Sequence, residues 1–386
     1  MNVLRIGLIG VSGFGARHYA DLLREVSAGR AVAAAACVVN PAEVPERVSA
    51  LRELGCRIYG DAAAMFAAEA GRLDLVMIPT GIATHRGFTE QALQAGAHVL
   101  VEKPAAATVA DVEAMLAAEA ASGKRVFVGF QHRYDPLTLV LQRALQAGAV
   151  GDVQAVVARG SWPRGLRYYG RNAWAGALEA DGVKVNDAPF NNAFAHDVLT
   201  ALWFASAVAG CAAEPREVRA ELYRLNDIGS CDSAFLEVRT DAAPVYLAFT
   251  HVGEVPREPE VVVTGTRGTL HWSHDGARLE AEGAAAQTFT CLELEALREA
   301  MFTRIWQDLR GIAGEGARCP LSLARAQTQV AEAALAAPIR SVPRSEARLE
   351  EDEPGDPRWI WPEVDARVQG WGPTAAAKLP PATGQH

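Results

Sequence analysis

The run Gly7-Leu8-Ile9-Gly10-Val11-Ser12-Gly13-Phe14-Gly15-Ala16-Arg17-His18 constrains the fold more than any other stretch of the chain. An apolar, strand-like segment at residues 3–9 enters it, and a helical pattern at residues 16–26 leaves it. In the register G-x-G-x-x-G, Gly10, Ser12 and Gly15 occupy the three positions. The first makes the tight turn off the strand, the second lets backbone approach a pyrophosphate, and the third lets the helix pack on the strand. Serine is larger than the glycine expected in the middle, but Gly13 beside it keeps the turn open. Free N–H groups at the helix start would then seat the pyrophosphate. Gly10, Ser12, Gly13, Phe14 and Gly15 are therefore the expected dinucleotide-binding turn.

The surrounding pattern agrees. Strand-like runs at 31–39, 73–78 and 98–101 alternate with helical patterns at 46–54, 89–95 and 109–121. Such alternation builds a parallel sheet with right-handed crossovers. Residues 126–130 read as one more strand, and the turn Gly123-Lys124-Arg125 before it as the start of a hinge. After a helix at 137–146 the character changes. Strands are expected at 153–159, 219–225, 234–239, 245–251, 260–264 and 268–272, with few helices between them. Val245, Leu247 and Phe249 alternate with Tyr246, Ala248 and Thr250, the period of a sheet with two distinct faces. Helices at 292–312 and 321–337 follow, the latter with Ser322 as candidate N-cap.

The expected fold class is thus α/β. An N-terminal Rossmann-type, doubly wound parallel sheet over residues 1–125 binds the dinucleotide. An α+β domain over 126–340, with a large open and mostly antiparallel sheet, follows it. Residues 341–386 form a C-terminal arm. Its acidic, proline-punctuated part at 350–357 reads as a solvated linker. Trp359, Trp361 and Trp371 follow within thirteen residues, too aromatic a load for a disordered tail. The arm is expected on its own domain, on a neighbouring protomer, or over the mouth of the site.

Composition narrows function by exclusion. A net charge of −9 argues against nucleic acid and anionic membranes as partners, since both attract a basic face. No apolar run approaches the ~18 residues of a membrane span. The six cysteines (37, 56, 211, 231, 291 and 319) are scattered, which leaves no zinc spacing and no metal site expected. Together with the absence of signal-peptide anatomy at the N-terminus, this leads to a cytoplasmic protein as the expectation. At the end of the second strand Asn40 is neither the acid that holds an NAD ribose nor the base that holds an NADP phosphate. The cofactor is therefore NAD or NADP, with NAD favoured because no arginine is adjacent.

A more specific block follows. Ile78-Pro79-Thr80-Gly81-Ile82-Ala83-Thr84-His85 is succeeded by Ala92-Leu93-Gln94-Ala95-Gly96-Ala97-His98-Val99-Leu100-Val101-Glu102-Lys103-Pro104. Gly129-Phe130-Gln131-His132-Arg133-Tyr134-Asp135-Pro136, Tyr168-Tyr169 and Trp174-Ala175-Gly176 come later. In these stretches the chain resembles the glucose–fructose oxidoreductase / inositol dehydrogenase (Gfo/Idh/MocA) family over residues 1 to about 340. The resemblance implies cofactor contacts by Thr80, His85, Glu102, Lys103 and Pro104 as well as by the glycine turn and Asn40. It also implies that the Lys103–Pro104 bond is often cis.

Lys103 ends a strand at the carboxyl edge of the parallel sheet, where such folds bind ligands. An ammonium there can hydrogen-bond a substrate hydroxyl and favour its alkoxide character. The family's Asp/Asn-x-x-x-His motif is matched by Asn192 and His196, whose spacing predicts one helical face. His196, with an ordinary pKa of ~6.5, is the candidate acceptor of the hydroxyl proton. Lys103 and His196 are the catalytic candidates. Asn192, Gln131, Arg133, Trp162, Arg164, Tyr169 and Asp187 are the substrate-binding ones. Asp187 lies in Asn186-Asp187-Ala188, where the family usually has three glycines, and is a second candidate proton acceptor.

The expected function is an NAD(P)-dependent dehydrogenase or reductase acting on a secondary hydroxyl or ketone of a sugar, cyclitol or related polyol. Its rivals are an NAD-dependent glycoside-cleaving enzyme and a non-enzymatic sugar-binding regulator. The family resemblance implies a homodimer or homotetramer, with substrate binding and oligomerisation assigned to residues 126–340.

Overall fold

In the computed structural model, residues 3–312 and 316–382 are described, without the side chains of Asp352 and Glu353. They form two compact units, one running to Gly129 with Cys319–Ser322 added, the other comprising Phe130–Arg318 and the residues from Leu323 onward.

The first unit alternates strand and helix throughout: β1 (Leu4–Ile9), α1 (Gly15–Ser27), β2 (Ala31–Cys37), α2 (Pro45–Glu53), β3 (Arg57–Tyr59), α3 (Ala62–Glu69), β4 (Leu75–Ile78), α4 (Ile82–Gln94), β5 (His98–Val101), α5 (Val109–Ser122) and β6 (Val126–Val128). Every strand pair is parallel, in the order β3-β2-β1-β4-β5-β6. Strands β4 and β6 are wholly buried, as continuous apolar runs in a parallel sheet covered on both faces should be. Cys319 and Pro320 return to the edge of this sheet: the Cys319 carbonyl accepts from the Val128 N–H at 2.9 Å, and Pro320 bridges Phe127.

Two elements escape a reading of periodicity. Strand β3 has three residues at the sheet edge, and α3 is alanine-rich with no polar face, its start set by the Asp61 side chain accepting from the Ala64 N–H at 2.7 Å. Helix α4 begins seven residues before the expected 89, because its first turns are polar and carry Gly87.

The second unit contains α6 (Pro136–Gln146), β7 (Val153–Ser161), α7 (Leu166–Gly170), β8 (Glu179–Ala180), β9 (Val183–Lys184), α8 (Ala195–Ala205), β10 (Pro215–Arg224), β11 (Ser233–Thr240), β12 (Val245–Thr250), β13 (Arg257–Gly265), β14 (Gly268–Ser273), β15 (Gly276–Ala281), β16 (Gln287–Thr290) and α9 (Leu294–Leu309). Then come α10 (Leu321–Leu335), β17 (Ile339–Ser341), β18 (Arg348–Glu353), β19 (Asp356–Ile360), α11 (Pro362–Gln369) and α12 (Pro373–Ala376). Helix α10 starts at Leu321, so Ser322 lies inside it rather than at its cap.

The nine-stranded sheet runs β16-β15-β14-β13-β7-β12-β11-β10-β17 and is antiparallel except at β7/β12 and β10/β17. The alternation expected in β12 is present, and both of its faces are covered. Phe249 stacks on Phe194, the residue capping α8, with ring centroids 4.6 Å apart. Tyr246 and Ala248, pointing the other way, join Ala155, Val157 and Phe235 in a core with Trp361, Val364, Val368, Trp371, Ala376 and Leu379.

The arm is thus part of the second unit and packs on its own sheet. Its acidic stretch is the hairpin β18–β19 rather than a linker, with Leu349 opposite Trp359 in register. An acidic run reads as solvated by composition, but alternate residues of an edge hairpin can be charged without cost when they face water.

Candidate functional site

The residues singled out in the sequence fall into two groups, one in each unit.

In the first unit β1 is flanked by β2 on one side and β4 on the other, so the order reverses there, and open α/β sheets bind ligands outside the strand ends at such a point. The glycine turn leaves β1 there. Gly10 and Gly13 have φ of 87° and 52°, conformations that side chains rarely adopt. A Cβ on Gly15 would lie 2.6 Å from the Gly10 carbonyl oxygen, so only glycine lets α1 start this close to the strand. The N–H groups of Gly15, Ala16 and Arg17 close turns onto Ser12, Gly13 and Phe14, whose own N–H groups bond nothing among the described residues. No side chain caps α1. Unengaged amides at the positive end of a thirteen-residue helix fit a pyrophosphate.

Asn40 follows β2 and donates through Nδ2 to Glu43 Oε1 at 2.9 Å, so an acid does stand at this strand end. It was hidden in sequence by three residues of turn. Arg47, on α2, reaches the glycine turn, donating to the Val11 carbonyl. Beyond β4, the Thr80 hydroxyl is 2.7 Å from that of Thr84.

His85 is buried between the carbonyls of Thr80 (3.0 Å) and Pro104 (2.9 Å), tying the loops that follow β4 and β5. Burial holds its pKa below the ordinary value against the pull of those carbonyls, and a neutral ring donates to one of them at a time. Glu102 turns inward, with Oε1 2.7 Å from His18 Nε2 on α1 and Oε2 accepting from the Lys103 N–H at 3.1 Å. A Cβ on Gly129 would intrude to 2.8 Å of this carboxylate. The bond between Lys103 and Pro104 is cis.

In the second unit His196 stands in the first turn of α8, and its ring meets Phe130 (5.4 Å between centroids) and His132 (5.1 Å) edge-on. Asn192 does not share its helix: α8 begins at Ala195, and Asn192 lies in the turn before it. The spacing of four therefore has a different cause from the one expected. The Asn192 amide donates to Asp187 Oδ1 at 2.8 Å, and Oδ2 accepts from the Gly176 N–H at 2.6 Å. Asp187 thus holds Asn192 in place. Asn186 beside it has φ 51°, the left-handed conformation that asparagine tolerates better than most residues and that a glycine would adopt freely.

Arg133 and Gln131 belong to the short turn Gln131–Tyr134. The Arg133 guanidinium is buried over the Trp203 ring at 3.3 Å, on the inner face of α8. Trp162 stacks on Phe194 (4.6 Å) and donates its indole N–H to Glu258 at 3.2 Å. The Tyr169 hydroxyl is buried with no hydrogen-bond partner among the described residues.

Sequence reasoning missed a histidine cluster behind His196. His132 stacks on His274 with centroids 4.3 Å apart, and His274 Nε2 is 3.1 Å from Asp197 Oδ1, fully buried on α8. Burial lowers the His132 pKa well below the ordinary value, with His274 and Arg133 adding to it. For His274, burial also lowers the pKa, but the carboxylates of Asp197, Glu258 and Asp275 together outweigh it and leave the value raised. His274 lies far along the chain in no recognisable motif, whereas His132 and Asp197 each adjoin a motif residue.

Residues 4–130 match the family model described as an oxidoreductase family with an NAD-binding Rossmann fold. The chain is 28% identical over 204 residues to inositol 2-dehydrogenase 1 of Saccharopolyspora erythraea, covering 53% of this chain and 55% of that one. It spans about half, or less, of the length of the curated relatives it matches. Among solved structures, the WlbA dehydrogenase of Bordetella pertussis, in complex with NADH and UDP-GlcNAcA, is 22% identical with a TM-score of 0.68, covering 87% of this chain and 96% of that one. An inositol dehydrogenase homologue of Azotobacter vinelandii complexed with NAD+ is 18% identical with a TM-score of 0.71, covering 86% and 94%. At these identities the two structures speak for the fold. No described helix is long and apolar enough to cross a membrane.

Proposed function

We propose that this chain, which belongs through residues 4–130 to the Gfo/Idh/MocA oxidoreductase family with its NAD-binding Rossmann fold, moves a hydride between NAD and a secondary hydroxyl or ketone of a sugar, cyclitol or related polyol. The observation that carries the reading is the Gly10–Gly15 turn, with unengaged amides at an open helix end where the strand order reverses. When bound there, the nicotinamide cofactor supplies the hydride acceptor. Everything else falls to this chain's own side chains.

Lys103 donates from its ammonium to the reacting oxygen and stabilises negative charge growing on it. His196 takes the hydroxyl proton in oxidation and returns it in reduction. Asn192, fixed by Asp187, orients the substrate, and Gln131, Trp162, Arg164 and Tyr169 complete its binding surface, while Arg133, buried on Trp203, holds the turn that carries Gln131. In this reading Glu102 and His85 act by position: the first anchors the backbone of Lys103 to α1 through His18, the second joins the loops after β4 and β5. The active protein is a homodimer or homotetramer located in the cytoplasm, and light scattering of the full chain reads the first point.

NADH absorbance with a panel of sugars and cyclitols tests the activity. Net, substrate-dependent formation of NADH is expected. Release of an aglycone without net reduction would show a glycoside-cleaving enzyme instead, and binding without either would show a regulator.

The carboxylate of Glu43 beside Asn40 favours NAD over NADP, because two acceptors there suit a ribose diol and repel a 2′-phosphate. Calorimetric titration should give NAD at least tenfold the affinity of NADP. Glu43→Gln should narrow that margin several-fold by improving NADP binding. An unchanged margin removes Glu43 from the cofactor site.

A further inference from the structure

Several arginines of the second unit meet acids: Arg219 faces Glu237 at 2.6 Å, Arg239 faces Glu217 at 3.0 Å and Arg325 faces Glu214 at 3.0 Å. Two arginines around α7 do not. Arg164 and Arg171 have no carboxylate within salt-bridge distance among the described residues, and the Arg164 Nε is buried without a hydrogen-bond partner. The Arg164 guanidinium lies 4.7 Å from the centre of the Tyr168 ring and 5.8 Å from that of Trp162. Arg171 lies 3.6 Å from the Tyr168 ring and 5.2 Å from Trp174. Aromatic rings hold both cations in place without neutralising them.

The third arginine of this loop, Arg167, is accounted for. Its guanidinium donates to the Pro354 carbonyl at 3.2 Å and its backbone N–H to Asp356 at 2.8 Å, so it is spent on the hairpin β18–β19. Two acids near this loop have their own partners: both oxygens of Asp187 accept from Asn192 and Gly176, and Asp356 accepts from the Arg167 N–H.

The two guanidinium charges act on their neighbours. His251, whose Nδ1 is 2.8 Å from the Trp162 carbonyl, is pushed down to about 3 by burial and then by Arg164. The Tyr168 phenol is raised by burial and by Asp187, while Arg171 and Arg164 pull it down. These residues adjoin the substrate wall: Trp162 stacks on Phe194, two positions from both Asn192 and His196, and the Asp187 that holds Asn192 is close enough to act on Tyr168.

We propose that Arg164, with Arg171 on the same Tyr168 ring, is the seat for an anionic group of the substrate, a carboxylate or a phosphate. This rests on the dehydrogenase reading for the rest of the substrate and narrows its class to acidic or phosphorylated sugars and polyols. An exposed guanidinium beside water gains little from a distant charge. Arg164, held against aromatic rings with its buried Nε unpartnered, gains a charge-assisted, bidentate partner when an anion arrives, while Arg171 donates to the Tyr168 carbonyl and adds its charge.

The test is calorimetry of the NAD-loaded protein with D-glucuronate, D-glucose 6-phosphate and D-glucose. At least one of the two anions should bind about tenfold or more tightly than glucose, and which one it is separates carboxylate from phosphate. Arg164→Met should erase that margin, a loss of about 10- to 100-fold for a charge-assisted pair. Arg164→Lys should retain part of it, and Arg167→Met should leave it intact. Neither anion exceeding glucose, or an unchanged margin in Arg164→Met with an unaltered unfolding midpoint, overturns the proposal. NAD affinity, measured first on the same samples, reports separately on the dehydrogenase reading: its loss condemns that reading and leaves the anion margin to be judged on the protein alone.

Discussion

Replacing Lys103 by Met or His196 by Ala should lower kcat by about two to four orders of magnitude while NAD affinity stays within a few-fold of the parent. The two losses have different physical origins and separate by their pH dependence. Without Lys103 the reacting oxygen loses a cationic donor, so hydride transfer meets a higher barrier at every pH. Without His196 the proton has no nearby acceptor, and the rate recovers as hydroxide rises or as a small external base such as imidazole is added. Rescue of His196→Ala by imidazole, together with failure of imidazole to rescue Lys103→Met, is the expected pattern in stopped-flow traces of NADH formation. Near-normal turnover in both variants would sink the assignment of roles.

A milder variant probes the support behind Asn192. Asp187→Asn leaves the Asn192 amide facing another amide in place of a charged acceptor, so a weaker and less directed bond orients the substrate. Its effect should be the smaller one and should fall mainly on KM, because the proton acceptor is untouched.

How much of this could be read beforehand depended on whether a residue's role is local or assembled. The turn from Gly10 to Gly15 was legible because each glycine answers to its own backbone: a φ of 87° at Gly10, and no space for a Cβ at Gly15. The strands of the parallel sheet were legible because burial on both faces leaves an unbroken apolar run. Strand β3 and helix α3 were not, being short or without a polar face. The pair Asn192 and His196 was found by its spacing, yet the helical face that the spacing implied is absent, since α8 starts three residues after Asn192. What orients Asn192 is Asp187, five residues earlier and across a turn. His274 and Asp197 meet across 77 residues. No periodicity carries such a contact, because it depends on the order in which β13 and β14 join the sheet beside α8.

The C-terminal arm is where composition misled most, and its removal should have the largest effect on stability. Trp371 is 5% exposed, its indole N–H donates to the Leu236 carbonyl at 3.1 Å, and its ring lies 5.1 Å from that of Phe235. Trp361 is 6% exposed, with its ring 5.1 Å from Tyr223. Each therefore seals the face of the sheet that alternates away from α8. Truncating such an aromatic side chain in a packed core costs about 3–5 kcal/mol, a large part of the 5–15 kcal/mol by which a typical domain is stable. Trp371→Ala should lower the unfolding free energy by that amount, read as a fall in the urea midpoint at unchanged slope, and Trp371→Phe, which keeps most of the apolar surface but loses the indole donor, should cost clearly less. Ending the chain at residue 341 should expose Phe235, Tyr246, Ala248 and Val157 together and yield aggregated protein, since an apolar patch of that kind does not persist on a soluble surface. The effect should also reach the site. Asp356 on β19 accepts from the Arg167 N–H, and a Cβ on Gly165 would lie 2.3 Å from the Asp356 carboxyl carbon, so the hairpin sets where the loop carrying Arg164 and Tyr168 lies. Asp356→Ala, which spares the tryptophans, should therefore raise KM several-fold at nearly unchanged unfolding midpoint. A fall in stability with KM unmoved would mean that the arm serves the sheet alone.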